Sequence, residues 1–319
     1  MARQHDLVLV HGADAAVERA PTPRENRLVR LAADVLAEES QAIGATYSGF
    51  CLTSLPHKRL PDDAIWERST RNVTLVVEPV RVHGSGQPGY RGVPYGSRAR
   101  LILLYLTTEA IRTRSREIRL GGSMGEWLRR MGITIGGRSY QEVKAQAERI
   151  AACRLTFKWR SADGRASAWD QDHIVKGGFA FNHVEAENQG LLWHDTVLLG
   201  ETFYDELCRH PVPIWEPAIR RIANQSLTID VYIWLAYRLH VLPKPTSVSW
   251  LSLREQFGPG YTRLRAFRER FLEALEMAQA VYPRARVDVE DHGLILHPSP
   301  PPVERRSLVA VTGHPSPGR

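Results

Sequence analysis

Cysteine is scarce. Cys51, Cys153 and Cys208 are the only three in 319 residues, an odd number without metal-ligand spacing, so neither a disulfide framework nor a zinc ribbon is expected. All three read as reduced, mostly buried thiols. Long apolar runs are missing too: in the middle of the chain the longest is Leu101 to Leu106, far short of the roughly 20 residues that span a bilayer. No basic start followed by an apolar stretch leads the chain, so the expected location is cytoplasmic, with no membrane partner. The 12 histidines include no H-E-x-x-H. Asp170 and Asp172 in "WDQDH" read as solvated hairpin residues, and neither a metal nor a cofactor is expected.

Aspartate is absent from one whole segment. Between Ser97 and Arg160, 14 Lys or Arg stand against 5 Glu and no Asp, a net of +9, and the rest of the chain sums to −2. A basic excess confined to one module is the footprint of a polyanion partner, whereas a uniformly basic surface would speak only of solubility.

Within that segment the apolar periods spell an order of elements. "RARLILLYLTTEAIRT" opens a helix near Ser97, "REIRLG" alternates as a short strand, and Ser123 to Met131 makes a second helix closed by Gly132. The turn "GITIGG" leads into a third helix, Ser139 to Cys153. "RLTFKWRS" and "ADGRASAWDQDHIVKGGFAF" then form a hairpin bearing Lys158, Arg160, Arg165 and Lys176. This is the order of a winged helix-turn-helix.

The order then recurs. Ser226 to Leu242 is an apolar helix stopped by Pro243 and Pro245, "SVSWL" is a strand, and "SLREQFG" is a short helix closed by Gly258. The long helix Thr262 to Tyr282 follows, then the strands "ARVDVED" and "LILHP". Gly132 and Gly258 set a repeat of roughly 125 residues, one module used twice. The expected class is α+β, with two tandem winged helix-turn-helix domains of similar topology and flexible tails. The divisions are 1–44, an N-terminal segment whose amphipathic helix runs from Asn26 to Ile43; 45–190, the first domain; 191–300, the second; and 301–319, a Pro-rich disordered tail. Strands from Asp195 to Phe203 and around Ile214 join the two copies.

Two catalytic patterns fail on context. Gly84, Gly86 and Gly89 fit G-x-G-x-x-G after the apolar run Asn72 to Val82, yet Pro88 and Pro94 keep the chain irregular where a helix N-terminus would have to meet a pyrophosphate. A flexible loop is expected there. "GGSMG" fits the nucleophile elbow G-x-S-x-G, but the preceding strand alternates charged with apolar residues instead of being continuously apolar. Ser123 with Glu126 reads as a capping box.

The two long helices carry binding chemistry instead. At about 100° per residue, Val143, Ala147 and Ile150 share one side of the first. Arg138, Gln141, Ala145 and Arg149 point the other way. Arginine suits guanine O6/N7, glutamine suits adenine N6/N7 and alanine permits close approach, so this face has the chemistry of base readout, with Ser139 and Lys144 flanking it as phosphate contacts. In the second helix Leu264, Phe267, Phe271 and Leu275 form the buried stripe. Thr262, Arg263, Arg265 and Arg268 crowd the N-terminal half, and Glu269, Glu273 and Glu276 follow, as an inserted N-terminus requires.

The stretches "GVPYGSRARLILLYLTTEAIRTRSREIRLGGSMGEWLRRMGITIGGR", "VKAQAERIAACRLTF", "IDVYIWLAYRLH" and "VSWLSLREQFG" closely resemble the plasmid-encoded RepA replication initiators of Gram-negative bacteria, over roughly residues 45 to 300. The resemblance implies a tandem winged-helix initiator without catalysis of its own, whose partners are double-stranded plasmid origin DNA, the host initiator and the replicative helicase. It implies binding to direct repeats (iterons), opening of the adjacent duplex, copy-number control, repression of its own gene, and a homodimer in equilibrium with monomer. Recognition helices fall at Arg138 to Cys153 and Thr262 to Tyr282. Such initiators use the second module as the main reader, and the first for DNA contact and dimerisation. Here the first module holds the larger excess, +9 against +3 for Arg254 to Arg286. The rival readings are a dimeric winged-helix repressor on an inverted repeat, and a nicking enzyme or primase, for which the His pairs are missing.

Overall fold

The computed structural model describes residues 3–70, 72–82, 89–160, 166–176, 181–182, 192–193 and 196–303. Its helices and small sheets make an α+β fold. Two compact units divide the chain: a continuous one, Thr46–Pro211, and a split one, Met1–Ala45 with Val212–Arg319. Among the described residues no helix is long and apolar enough to cross a membrane.

The continuous unit is built on the helix Gly96–Thr113, whose residues from Ala99 to Ile111 are all buried. A helix apolar on every side has to be surrounded. Its buried Arg100 donates to the carbonyls of Leu55 (2.7 Å), Pro56 (3.2 Å) and Gly96 (2.8 Å), which satisfies a charge that would otherwise be costly to bury. The strand Glu117–Arg119, the helix Met124–Arg130 and the helix Gly137–Ala151 follow in the expected order. Gly132, at φ 69°, makes the left-handed turn that ends the second helix.

The expected hairpin forms but does not close on the strand Glu117–Arg119, as the wing of a winged helix would. Its first strand, Cys153–Arg160, pairs along one edge with Val73–Pro79 and along the other with Ala166–His173, inside a four-stranded antiparallel sheet that ends at Trp66–Ser69. With both ladders occupied, that strand has no edge left. Thr196–Leu199 takes the place beside Glu117–Arg119 instead, setting Val197 opposite Ile118, and also pairs with Val175–Lys176.

From Glu201 the chain is helical to Arg209, not extended to Phe203, because Phe203 and Leu207 one turn apart are buried. Phe203 stacks edge-on against Tyr47 at 6.0 Å, and Arg116 pairs with Glu201 at 3.0 Å. The boundary between modules therefore lies at 211/212, beyond the expected 190/191. Of the three cysteines, Cys51 and Cys153 are buried and Cys208 is exposed.

The split unit contains a complete winged helix. Ser226–Arg238, Thr246–Ser249, Trp250–Phe257, Leu264–Ala280 and the hairpin Val287–Glu290 with Gly293–Leu296 succeed one another, and the sheet order places Gly293–Leu296 in the centre. Trp234, Trp250, Phe257, Phe267 and Phe271 pack ring to ring in its core, each such burial contributing about 1.5–3 kcal/mol. Gly258 closes the second helix where a Cβ would run into the Phe267 ring.

The N-terminal segment, expected as a separate piece, belongs to this unit. Thr22 caps the helix Pro23–Leu36. His5 Nε2 donates to the Ala280 carbonyl at 2.9 Å, Arg24 pairs with Glu276 at 2.8 Å, and the Trp215 indole donates to the Ser40 carbonyl at 2.9 Å. Arg221 pairs with Glu38 at 2.8 Å and, ahead of the Ser40 amide, holds that carboxyl below its ordinary range. The expected disordered tail lies outside the described residues from 304 onward.

Candidate nucleic-acid interface

In the continuous unit the helix Gly137–Ala151 seats Val143, Ala147 and Ile150 fully in the core. Gln146 sits with them, its Oε1 accepting the Tyr95 amide at 2.8 Å. On the opposite side Arg138, Gln141 and Ala145 are exposed, with Ser139 and Lys144 half-buried beside them. Arg138, second in the helix and 94% exposed, donates to Glu142 at 2.8 Å; the other oxygen of Glu142 accepts from Arg98 at 3.1 Å. Burial raises the Glu142 pKa, but the two arginine hydrogen bonds outweigh it and hold the carboxyl below its usual value.

Arg149 does not join that face. Eleven residues on from Arg138, it shares the same angular direction, but there the helix is covered by the loop before Gly96. Its side chain, 11% exposed, pairs with Asp62 at 3.3 Å, donates to the Arg91 carbonyl and lies over the Tyr95 ring at 5.4 Å. Gly92, at φ 78°, lets the loop pass, since a Cβ there would strike the Arg149 guanidinium. Arg149 is thus a lock between helix and loop, and the expectation of base contact there is corrected. Lys158 and Arg160 lie apart from the helix, on the strand Cys153–Arg160, the former half-buried opposite Thr74 and the latter exposed at its end. Lys176 is exposed on its short strand; Arg165 lies outside the described residues.

In the split unit the helix begins at Leu264, with Arg263 as its cap residue, so Thr262 precedes it and both are exposed. Arg265, again second in the helix and 91% exposed, donates to Glu269 at 3.1 Å. Arg268 is held closer in, 38% exposed, over the Trp250 ring at 5.0 Å and 4.0 Å from Asp291. The hairpin of this unit is acidic: Asp288, Glu290 and Asp291 are exposed. Glu276, on the last turns, is taken by Arg24.

A contrast repeats in both units. The second helix is capped at its N-terminus by a serine hydroxyl, Ser123 accepting from the Glu126 amide and Ser249 from the Ser252 amide, each at 3.2 Å. The third helix has neither a side-chain cap nor an acid in its first turn. A missing cap costs a helix about 1 kcal/mol, and arginines near the N-terminus oppose the macrodipole by about 0.3–1 kcal/mol each. Bare amides beside arginines suit an incoming phosphate.

The competing motifs resolve locally. Ser123 caps the helix Met124–Arg130, and Glu126 accepts from the Gly122 amide at 2.8 Å, which accounts for "GGSMG" without a nucleophile. Gly84 and Gly86 lie outside the described residues. Gly89–Tyr90 pairs with Arg81–Val82, and the next helix opens only at Gly96.

Sequence reasoning missed Glu142 and took Glu269 only as one of the acids of the helix's second half. Their signal was present as an Arg–Glu spacing of four, repeated in both helices. It also passed over the negative charge of "VDVED".

No curated protein matches the chain. Two solved structures of domains 2 and 3 of RctB are similar at 12% identity: one covers 76% of this chain and 91% of its own with a TM-score of 0.48, the other 77% and 93% with 0.46. Residues 93–250, from the approach to the buried helix Gly96–Thr113 as far as Trp250 at the head of the split unit's second helix, match the family described as plasmid encoded RepA protein. Over that span the chain is similar to the plasmid-encoded RepA protein family.

Proposed function

We propose that this protein is a plasmid replication initiator that acts by binding double-stranded origin DNA, each unit directing the N-terminal end of its third helix into a major groove. The observation that carries the reading is the twofold recurrence of an uncapped, acid-free helix start with a more than nine-tenths exposed arginine in second position. Such an end offers amides and guanidinium to phosphate and guanine and nothing to a cation. The family match over residues 93–250 supports the plasmid setting.

Two non-identical readers on one chain let a monomer recognise a site without two-fold symmetry. Direct repeats then load several copies in one orientation. Bound in series, they strain and open the neighbouring duplex, attract the host initiator and replicative helicase, and block the gene's own promoter when a repeat overlaps it. A dimer in equilibrium with monomer, action in the cytoplasm and the lack of a catalytic step complete the proposal. The acidic hairpin of the split unit keeps that unit's contact on the helix, since it would repel phosphates.

Selection of bound duplexes from a randomised pool, followed by footprinting on DNA flanking the gene, tests the reading. Enriched non-palindromic sites arrayed as tandem repeats support it. A lone inverted repeat favours a dimeric repressor, and no enrichment at all refutes it.

A further inference from the structure

We infer that Glu142 and Glu269 are specificity-determining residues, each reading a cytosine next to the guanine taken by its arginine, Arg138 or Arg265. The inference rests on the proposed DNA reading and deepens it. In both third helices the arginine is the second residue and the glutamate the sixth, joined at 2.8 Å and 3.1 Å. Helix stability gives no reason for this placement. An acid four residues after a base is the weaker order of an i,i+4 pair, and it sets the base against the positive end of the helix. Glu273 and Glu276, farther along the split unit's helix, are paired with Arg270 and Arg24 instead.

The chemistry of the major groove supplies a reason. Guanine offers two acceptors to a guanidinium, and cytosine N4 offers a donor to a carboxylate. A carboxylate finds only acceptors on guanine or thymine and only negative charge on phosphates, so it repels those placements of its arginine; adenine N6 also donates but sets the N7 acceptor beside it, which leaves cytosine as the base that suits the carboxylate best. On random DNA the glutamate holds back a cation that would otherwise bind any backbone. At the right base step both members of the pair are satisfied together. In the continuous unit Arg98, 18% exposed on the buried helix, fixes Glu142 from behind, so this pair is the more rigid of the two.

The experiment uses the full chain and its Glu142→Gln, Glu269→Gln and Glu273→Gln variants. Each is put through selection on a randomised duplex library, then titrated by fluorescence anisotropy on the duplex enriched by the unmodified protein and on a scrambled duplex. Expected is an enriched motif with a cytosine requirement in each half, and loss of one such requirement in each of E142Q and E269Q. Scrambled DNA is bound more tightly and the ratio of affinities falls about tenfold, while E273Q matches the unmodified protein. Because Glu269 pairs only with the exposed Arg265 among the described residues, E269Q keeps the test valid if E142Q, by releasing Arg98, melts early. An unchanged motif and ratio in E269Q overturns the inference and leaves a plain surface ion pair. Equal weakening on both duplexes overturns it too, assigning the glutamate to helix support. Failure of the unmodified protein to enrich any motif refutes the DNA reading itself.

Discussion

Replacing Arg265 with alanine separates base reading from general attraction. Its side chain is 91% exposed and bonded only to Glu269 among the described residues, so in the free protein the change removes an exposed ion pair contributing about 0–1 kcal/mol. On DNA the same guanidinium would make a bidentate contact with guanine, which contributes about 1–3 kcal/mol of discrimination. Parting from Glu269 subtracts less than that. The expected loss on the selected duplex is therefore about 1–3 kcal/mol, roughly 5- to 150-fold in Kd, with thermal melting unchanged. Anisotropy titrations against single-base variants should show one base pair at which the unmodified protein discriminates and R265A does not. Arg138→Ala should do the same at a different base pair. Equal losses on selected and scrambled DNA, or an early melt, would refute the reasoning.

Lys144→Ala should weaken every duplex alike and lower the slope of log affinity against log salt by about one unit, as loss of one phosphate contact does. Arg149→Ala should act through stability, costing about 1–3 kcal/mol in denaturant titration because the Arg91 carbonyl loses this donor and Asp62 is left with Arg59 alone among the described residues. Neutralising Asp288, Glu290 and Asp291 together should raise affinity for all DNA severalfold at low salt without altering the preferred sequence. Glu142 has a folded-state pKa below its ordinary 4.5, so its stabilising effect is complete above that value and is lost as pH falls through the lower folded one; E142Q should accordingly show a shallower drop in melting temperature as the pH is taken below 4.5.

Local periodicity made the helices legible. Val143, Ala147 and Ile150, and Phe267 and Phe271, are buried where a 3.6-residue period places them, because that pattern is dictated by the core the helix must face. The capping box at Ser123 was readable for the same local reason. What long-range packing decides was not. Arg149 has the right direction but lies beneath a loop more than 50 residues earlier in the chain, and no wheel shows what covers a helix. The strand Cys153–Arg160 alternates like a wing strand and pairs with Ala166–His173 as a hairpin, yet its other partner, Val73–Pro79, comes from before the helix Gly96–Thr113 that opens the winged-helix order. The N-terminal helices pair with residues such as Ala280 and Glu276 through contacts that span most of the chain, so reading along the sequence could only leave them apart. Of the candidate site, the arginines were visible as charge, whereas Glu269 was read as part of an acidic trend and Glu142 was passed over.

Guanine methylation interference on the selected duplex tests the central claim most directly, because a methyl at N7 stands in the major groove where Arg138 and Arg265 are held to bind. The account predicts two separate clusters of interfering guanines, one abolished by Arg138→Ala and the other by Arg265→Ala. Binding indifferent to N7 methylation, or clusters that survive both substitutions, would contradict it.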